Sequence, residues 1–258
     1  MLHLRKYLGK FDRYMIGPQN LPKEFSDFSL QRFPQRYFAS RLGYNRLLLS
    51  KQFYQAFAAY EYILIYQLDC LVFAGNLEEW CGKGWDYVGA PWFRNDEKPE
   101  EGFLGVGNGG LSLRRVSTAL AVFKSKRAVQ RPELRGADLG RAEFLKRLKF
   151  ASPLTGLIRG TKTTLHRFGY RNRVSWLTKK LADVKLNEDY FWAFGAYGYV
   201  DEFRIPSIDE ALGFSFEVAP RYCSEVSSRR LPFGCHAWAK YDREFWKPYL
   251  LRPDATDN

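Results

Sequence analysis

Long apolar runs are missing from this chain of 258 residues. No stretch approaches the roughly 20 residues that cross a bilayer, which excludes an integral helical membrane protein. The opening MLHLRKYLGKFDRYMIGP has no apolar segment of roughly 7–15 residues ahead of a small-residue cleavage site. A secretory leader is therefore not expected. These two absences give a cytoplasmic protein, with any membrane contact peripheral and at the inner face. Cysteine is sparse: Cys70, Cys81, Cys223 and Cys235 form no CxxC pair. They read as reduced thiols in or near the core rather than as a disulfide frame or zinc site. Histidine is scarcer still, with only His3, His166 and His236. No RNP-like or zinc-finger spacing is present, so nucleic acid is not an expected partner. Internal repeats and low-complexity tracts are also lacking.

What remains has ordinary globular composition, 46% hydrophobic and 26% charged. At 30.1 kDa it fits one large domain spanning residues 1–258. The net charge of +12 is unevenly placed. Residues 124–180 carry 16 Lys or Arg against Glu133, Asp138 and Glu143, a local +13. The other 201 residues hold 24 basic and 25 acidic side chains and net −1. The basicity is thus an insertion on a neutral body, read as mostly helical over 116–181. Such a face is a solvated helical lobe, or it meets an anionic membrane surface, substrate phosphates or nucleic acid. Phe168, Trp176 and Leu181 among the charges suit the interfacial reading.

The hydrophobic pattern predicts a helix over 44–59 and a strand over 60–73, YEYILIYQLDCLVF, whose centre is apolar enough to be buried on both faces. A strand over 13–16, a short helix in LEEWCGKGW (77–85) and a strand in DYVGAPW (86–92) are also expected. Then come a tight turn in GVGNGG (105–110), a strand in LSLRR (111–115) and a helix over 186–198. Short strands and turns are expected over 205–250. Helices alternating with strands around one apolar strand indicate an α/β layered fold.

Four features carry chemistry. Asp69 ends the apolar strand, where a carboxylate faces a metal, a positive partner or a ligand crevice, or is simply solvated or paired. The glycines at 105, 107, 109 and 110 allow positive φ and close backbone approach, in a ligand loop or a plain hairpin. Asn108 among them can donate and accept hydrogen bonds toward a polyhydroxylated ligand. Glu188 and Asp189 open an aromatic helix, where acids either complement the helix dipole behind an Asn187 cap or supply a general base. His236 lies in the turn FGCHAW, as a structural residue or as the partner of Asp69 around a divalent ion.

In order, YNRLLLSKQFYQAFAAYEYILIYQLDCLVF, GWDYVGAPWF, VGNGGLSLRR, NEDYFW and PFGCHAW resemble a family of uncharacterised bacterial domains related to GT-A glycosyltransferases. The likeness runs from about Phe11 to Trp238. It implies a GT-A-like fold, a mixed central sheet flanked by helices, with the basic helical insertion set into it. It also implies transfer of a sugar, of hexosyltransferase type, from a nucleotide-sugar donor to a glycan or glycolipid acceptor in surface polysaccharide biosynthesis. The reaction would be assisted by Mn²⁺ or Mg²⁺ and would invert the anomeric centre. The Asp-x-Asp strand end of these enzymes aligns with Gln67-Leu68-Asp69, so Asp69 takes the metal role while Gln67 departs from the usual Asp. Gly109 and Gly110 would lie under a sugar, with Asn108 beside them. Asp189 or its neighbour Glu188 would be the catalytic carboxylate, and His236 would complete the metal site. The family opens with a further strand that holds the nucleotide base, whereas this chain starts near the next strand, FDRYMIGP. Physics adds Arg114, Arg115, Arg229 and Arg230 as phosphate contacts, with surface pairing as the alternative. It also offers the ring faces of Trp92 and Trp238 as sugar platforms, or as core. Two other classes stay open: a non-catalytic carbohydrate-binding or scaffold protein on a degenerate GT-A fold, and a basic peripheral protein acting through residues 124–180.

Overall fold

A computed structural model describes residues 1–21, 27–125 and 187–252. Most of the basic stretch 116–181 lies outside the described residues. The chain forms a mixed α/β structure of several small sheets and short helices. Among the described residues, no helix is long and apolar enough to cross a membrane. The chain divides into two compact units. The first comprises Met1–Asp12, Tyr62–Arg114 and Arg204–Asn258; the second comprises Arg13–Glu61 and Arg115–Phe203.

The first unit opens with α1 (Leu2–Leu8), tied down by His3. His3 is buried, its Nδ1 lies 2.8 Å from the Val72 carbonyl, and its Nε2 accepts the Leu251 backbone N–H at 3.0 Å. That pair of contacts fixes the ring as the neutral Nδ1–H tautomer. Burial pushes its pKa below the ordinary 6.5.

The second unit contributes β1 (Tyr14–Pro18) and β2 (Ser29–Phe33), a parallel pair. The helix expected over 44–59 is two helices, α2 (Arg41–Leu48) and α3 (Lys51–Ala56). The break falls at Ser50, whose hydroxyl accepts the Phe53 N–H at 3.2 Å and donates to the Leu47 carbonyl at 2.7 Å. A serine that bonds both ways in this manner ends one helix and caps the next.

The strand expected over 60–73 is likewise two, β3 (Tyr62–Tyr66) and β4 (Leu71–Val72), separated by a turn over Gln67–Cys70. β3 is half-buried along its length rather than sealed on both faces. Gln67 N–H donates to the Gly110 carbonyl, Cys70 N–H to the Gln67 carbonyl, and Trp238 N–H to the Asp69 carbonyl. Two of these three bonds reach far along the chain, which a local pattern does not encode.

After α4 (Leu77–Gly82), the segment expected as one strand over 86–92 is also split, into β5 (Tyr87–Val88) and β6 (Pro91–Phe93). β6 pairs antiparallel with β7 (Phe103–Val106). β8 (Leu111–Arg115) follows the glycine-rich segment and takes the centre of the order β3-β8-β5. α5 (Val116–Lys124) leaves β8 and packs on α3 in the second unit. There Tyr54, Phe123 and Trp192 form a triad of ring contacts at 5.3–5.9 Å. The helix expected over 186–198 is irregular. It consists of α6 (Glu188–Tyr190), a π-helical turn over Phe191–Gly195 and a 3₁₀ turn over Ala196–Gly198. Phe191, Trp192, Ala193 and Phe194 are all buried, so burial on every side overrides one-face helical spacing.

The tail is more helical than its pattern suggests, with α7 (Ile208–Phe214), α8 (Pro220–Val226) and α9 (Arg243–Trp246). Its strands are only β9 (Ser215–Phe216) and β10 (Gly234–Cys235) among the described residues. β10 lies between antiparallel β4 and parallel β9. Under this small sheet sits a core of Leu71, Phe93, Leu212, Phe216, Cys235 and Trp246, with Phe73 stacked on Trp246 at 5.3 Å.

Candidate metal centre

The three-stranded sheet β4-β10-β9 brings the polar residues together. Its register pairs Phe216 with Cys235 on one side and Leu71 with Cys235 on the other. One residue further on, His236 therefore emerges from the central strand with Glu217 beside it and Cys70 across from it. His236 N–H donates to the Phe216 carbonyl at 3.0 Å, which extends the pairing up to the imidazole.

The ring is held from two sides. Nδ1 lies 2.9 Å from Glu217 Oε1 and 3.0 Å from Asn108 Nδ2. Nε2 lies 3.1 Å from Gln67 Oε1 and 3.4 Å from Asp69 Oδ1. His236 and Glu217 are largely buried, at 15% and 14% side-chain exposure, while Asp69 is 51% exposed. The cluster thus has a buried back and an open front. Leu68, at the tip of the turn, is 81% exposed.

Cys70 Sγ completes a group with Asp69 and His236 whose ligating atoms lie within 4.8 Å of one another. It is nevertheless a thiol that donates to the Gly110 carbonyl at 3.2 Å. Burial, and then the negative charge of Asp69, raise its pKa well above the ordinary thiol value. Tyr66, whose hydroxyl donates to the Cys70 carbonyl at 2.7 Å, is also pushed up by burial. Asp96 and Lys240 complete the electrostatics. Burial and then the charge of Glu217 raise Asp96, while Lys240 draws it down. The hydroxyl of Tyr241, 2.7 Å from the Lys240 ammonium, raises the pKa of that lysine.

The glycine-rich segment is buried and serves the site from behind. Asn108 sits at φ 65°, a left-handed conformation that asparagine tolerates. Its Oδ1 accepts the N–H groups of Gly110 and Leu111 at 2.9 and 3.1 Å, and its carbonyl accepts the Tyr87 hydroxyl at 2.8 Å. At 2% exposure Asn108 is a brace for the turn and for His236, not an outward hydrogen-bonding group. The glycines are required for close approach rather than for positive φ. A Cβ on Gly110 would stand 2.2 Å from His236 Nε2, and one on Gly107 would stand 2.3 Å from the Trp92 ring. Trp92 is thereby packed on Gly107. Gly109 lends its carbonyl to the Ser112 hydroxyl at 3.3 Å.

The structure therefore brings together Gln67, Asp69, Asn108, Gly110 and His236 from the sequence-based set. Glu188 and Asp189 belong to the second unit. Glu188 is 1% exposed, and its N–H donates to Asn45 Oδ1 at 3.4 Å. Asn187 makes no side-chain cap; its Oδ1 accepts from Asn45 Nδ2 at 3.3 Å. Asp189 is half-buried, and its Oδ1 accepts the Tyr190 N–H at 2.9 Å. Of the arginines, Arg114 is buried, with its guanidinium over the Tyr87 ring and its Nε donating to Ser112. Arg115 pairs with Glu61 at 3.7 Å, and Arg230 Nε donates to the Ser227 carbonyl. Glu217 escaped the sequence reading because nothing local marks it.

The donor set suits a hard or borderline divalent cation. Atoms on one edge of a shell with bonds of about 2.1 Å lie roughly 3.0–3.4 Å apart, the separations that His236 Nε2 keeps from Gln67 and Asp69. A carboxylate behind the imidazole is the usual support of a metal-binding histidine.

Residues 27–236 match the model of a family described as a protein of unknown function (DUF5672), and the chain belongs to that family. No curated protein and no solved structure matches it.

Proposed function

We propose that the protein is a metal-assisted glycosyltransferase of GT-A-like fold, moving a sugar from a nucleotide-sugar donor to a glycan or glycolipid acceptor. The observation that carries this reading is the approach of Asp69 Oδ1 to His236 Nε2, 3.4 Å apart although 167 residues separate them in the chain. The ordered likeness of the motifs supplies the reaction class.

Asp69 and His236, with Gln67 beside them, would hold Mn²⁺ or Mg²⁺. When bound, the cation offsets the negative charge that builds on a departing diphosphate. Glu217 and Asn108 fix the imidazole, so the ligand atoms need little reordering when a donor arrives. Gly110 leaves room for the ring at its Nε2 edge. Exposed Leu68 offers an apolar contact at the mouth of the site. The likeness gives the general-base role to Asp189 or its neighbour Glu188.

Calorimetry with Mn²⁺ and a panel of nucleotide sugars tests the reading. Asp69→Ala should abolish metal-dependent donor binding while the circular dichroism of the fold survives. Donor affinity that is equal with and without Mn²⁺, or unchanged in Asp69→Ala, would end it. Asp189→Asn should lower turnover far more than donor binding.

A further inference from the structure

The contacts around His236 contain a competition. Glu217 Oε1, an acceptor, and Asn108 Nδ2, a donor, both reach Nδ1. The amide of Asn108 cannot turn to relieve this, because its Oδ1 is held by the N–H groups of Gly110 and Leu111. The two neighbours therefore demand opposite tautomers. Asn108 favours a bare Nδ1, which would place the ring proton on Nε2, where the Gln67 oxygen at 3.1 Å and the Asp69 carboxylate at 3.4 Å would accept it. Glu217 favours Nδ1–H, which leaves the Nε2 lone pair facing them.

A hydrogen bond to a carboxylate is roughly twice as strong as one between neutral groups, and it gains further where water is excluded. Glu217 is 14% exposed and His236 15%. At 2.9 Å and largely buried, the Glu217 carboxylate outweighs the neutral Gln67 oxygen and the longer contact to half-exposed Asp69 on the other nitrogen, and so decides the outcome. We infer that Glu217 is a positioning residue that holds His236 as the Nδ1–H tautomer and so presents Nε2, with Gln67 and Asp69, to a divalent cation. This rests on the reading above that Asp69 and His236 form a metal site. It goes beyond that reading by naming the residue that makes the site competent. Glu217 itself is not a ligand in this scheme: it acts through the ring.

The test is two measurements on the full chain. Long-range ¹H–¹⁵N correlation spectra at mildly alkaline pH, where a free imidazole is neutral, report which nitrogen carries the proton. The His236 signals are those lost in His236→Gln. Mn²⁺ titration followed by electron paramagnetic resonance reports affinity for the metal alone. Wild type should show Nδ1–H. Glu217→Gln should shift the ring to Nε2–H, because the Asn108 amide then prevails, and Mn²⁺ affinity should fall about 10–100-fold. In Glu217→Gln/Asn108→Asp the new carboxylate still accepts the Gly110 and Leu111 N–H groups, and it should restore both Nδ1–H and most of the affinity. Rescue of this kind separates tautomer control from simple damage to the fold. Should Glu217→Gln fail to fold, wild type and Asn108→Asp still decide the matter: both must show Nδ1–H. Nε2–H in wild type, or an unmoved ring in folded Glu217→Gln, overturns the inference and leaves the metal reading standing. Nδ1–H in wild type with no Mn²⁺ binding supports the role of Glu217 on the ring and overturns the metal reading instead.

Discussion

Replacing Gly110 by alanine adds one methyl group at the tightest point of the site. The new Cβ would stand 2.2 Å from His236 Nε2 and 2.3 and 2.5 Å from two ring carbons. Carbon–nitrogen contact requires well over 3 Å, so about 1 Å must be found. The imidazole cannot supply it freely, since Glu217 at 2.9 Å, Asn108 at 3.0 Å and Gln67 at 3.1 Å hold its edges. The turn cannot easily supply it either, since the Gly110 N–H and carbonyl are both bonded, to Asn108 Oδ1 and from Gln67 N–H. Overpacking of this kind costs about 1–3 kcal/mol. In a protein of this size each kcal/mol lowers Tm by roughly 2–4 °C, so differential scanning calorimetry should show a fall of about 2–12 °C. If the proposed metal site holds, a displaced ring should also weaken Mn²⁺ binding by at least about tenfold. Gly82→Ala is the control: a Cβ there meets nothing within 4 Å and its helix gains up to about 1 kcal/mol. A Gly110→Ala protein with wild-type Tm and wild-type Mn²⁺ affinity would refute the packing argument and the placement of His236 with it.

Other expectations follow from single residues. His3 is neutral and lowered from 6.5 in the folded state, so the unfolded chain binds more protons at mildly acidic pH. Its contribution to stability is complete above 6.5 and is lost as pH falls from there through the lowered folded value. His3→Gln should flatten that slope in denaturant titrations over the same window, and an unchanged slope would remove His3 as its source. Ser50→Ala deletes the cap between α2 and α3 and should cost about 1 kcal/mol in urea unfolding, which Ser50→Thr should largely spare. Asp242 caps α9 by accepting the Phe245 N–H and also holds Arg221, which lowers its pKa. Asp242→Ala should lower Tm, while Asp242→Asn, which keeps the cap and tolerates φ 56°, should lose less. Native alkylation followed by mass spectrometry should modify half-exposed Cys81 first. Cys223, pushed up to about 12 by burial, and Cys70 should react only on unfolding.

The sequence makes some of this legible. Asp69 and His236 stand out as a strand-end acid and a histidine in an unusual turn, and their side chains do meet. The strand in LSLRR and the short helix in LEEWCG follow from local pattern and appear where expected. The break at Gln67–Cys70 does not, because the stretch contains neither glycine nor proline and the turn depends on Gly110 and Trp238, which lie far along the chain. Glu217 was hidden for the same reason: only the parallel pairing of β9 with β10 puts it beside His236. Asn108, an amide in a glycine-rich run, reads from sequence as a ligand contact, yet its oxygen is claimed by the backbone. The aromatic run after Glu188 carries helical residues, yet no periodicity announces a π-helical turn.

Two adjacent residues of the first unit mark where the chain departs and where it comes back. Arg114, the last residue before the long excursion of 115–203, is paired with Tyr87 on β5. Arg204, the first residue after it, accepts from the Asp86 N–H at its carbonyl, donates its own N–H to the Asp86 carboxylate at 2.7 Å, and sends its guanidinium to the Gly84 carbonyl. The way out and the way back are thus neighbours on one short strand, clamped by bonds that do not involve the excursion. A loop leaving and returning at one spot can change length at a cost that grows only with its logarithm. The first unit is thus closed at Asp86 and Tyr87 by its own bonds, and the strands that flank Asp69 and His236 do not depend on the length of the excursion.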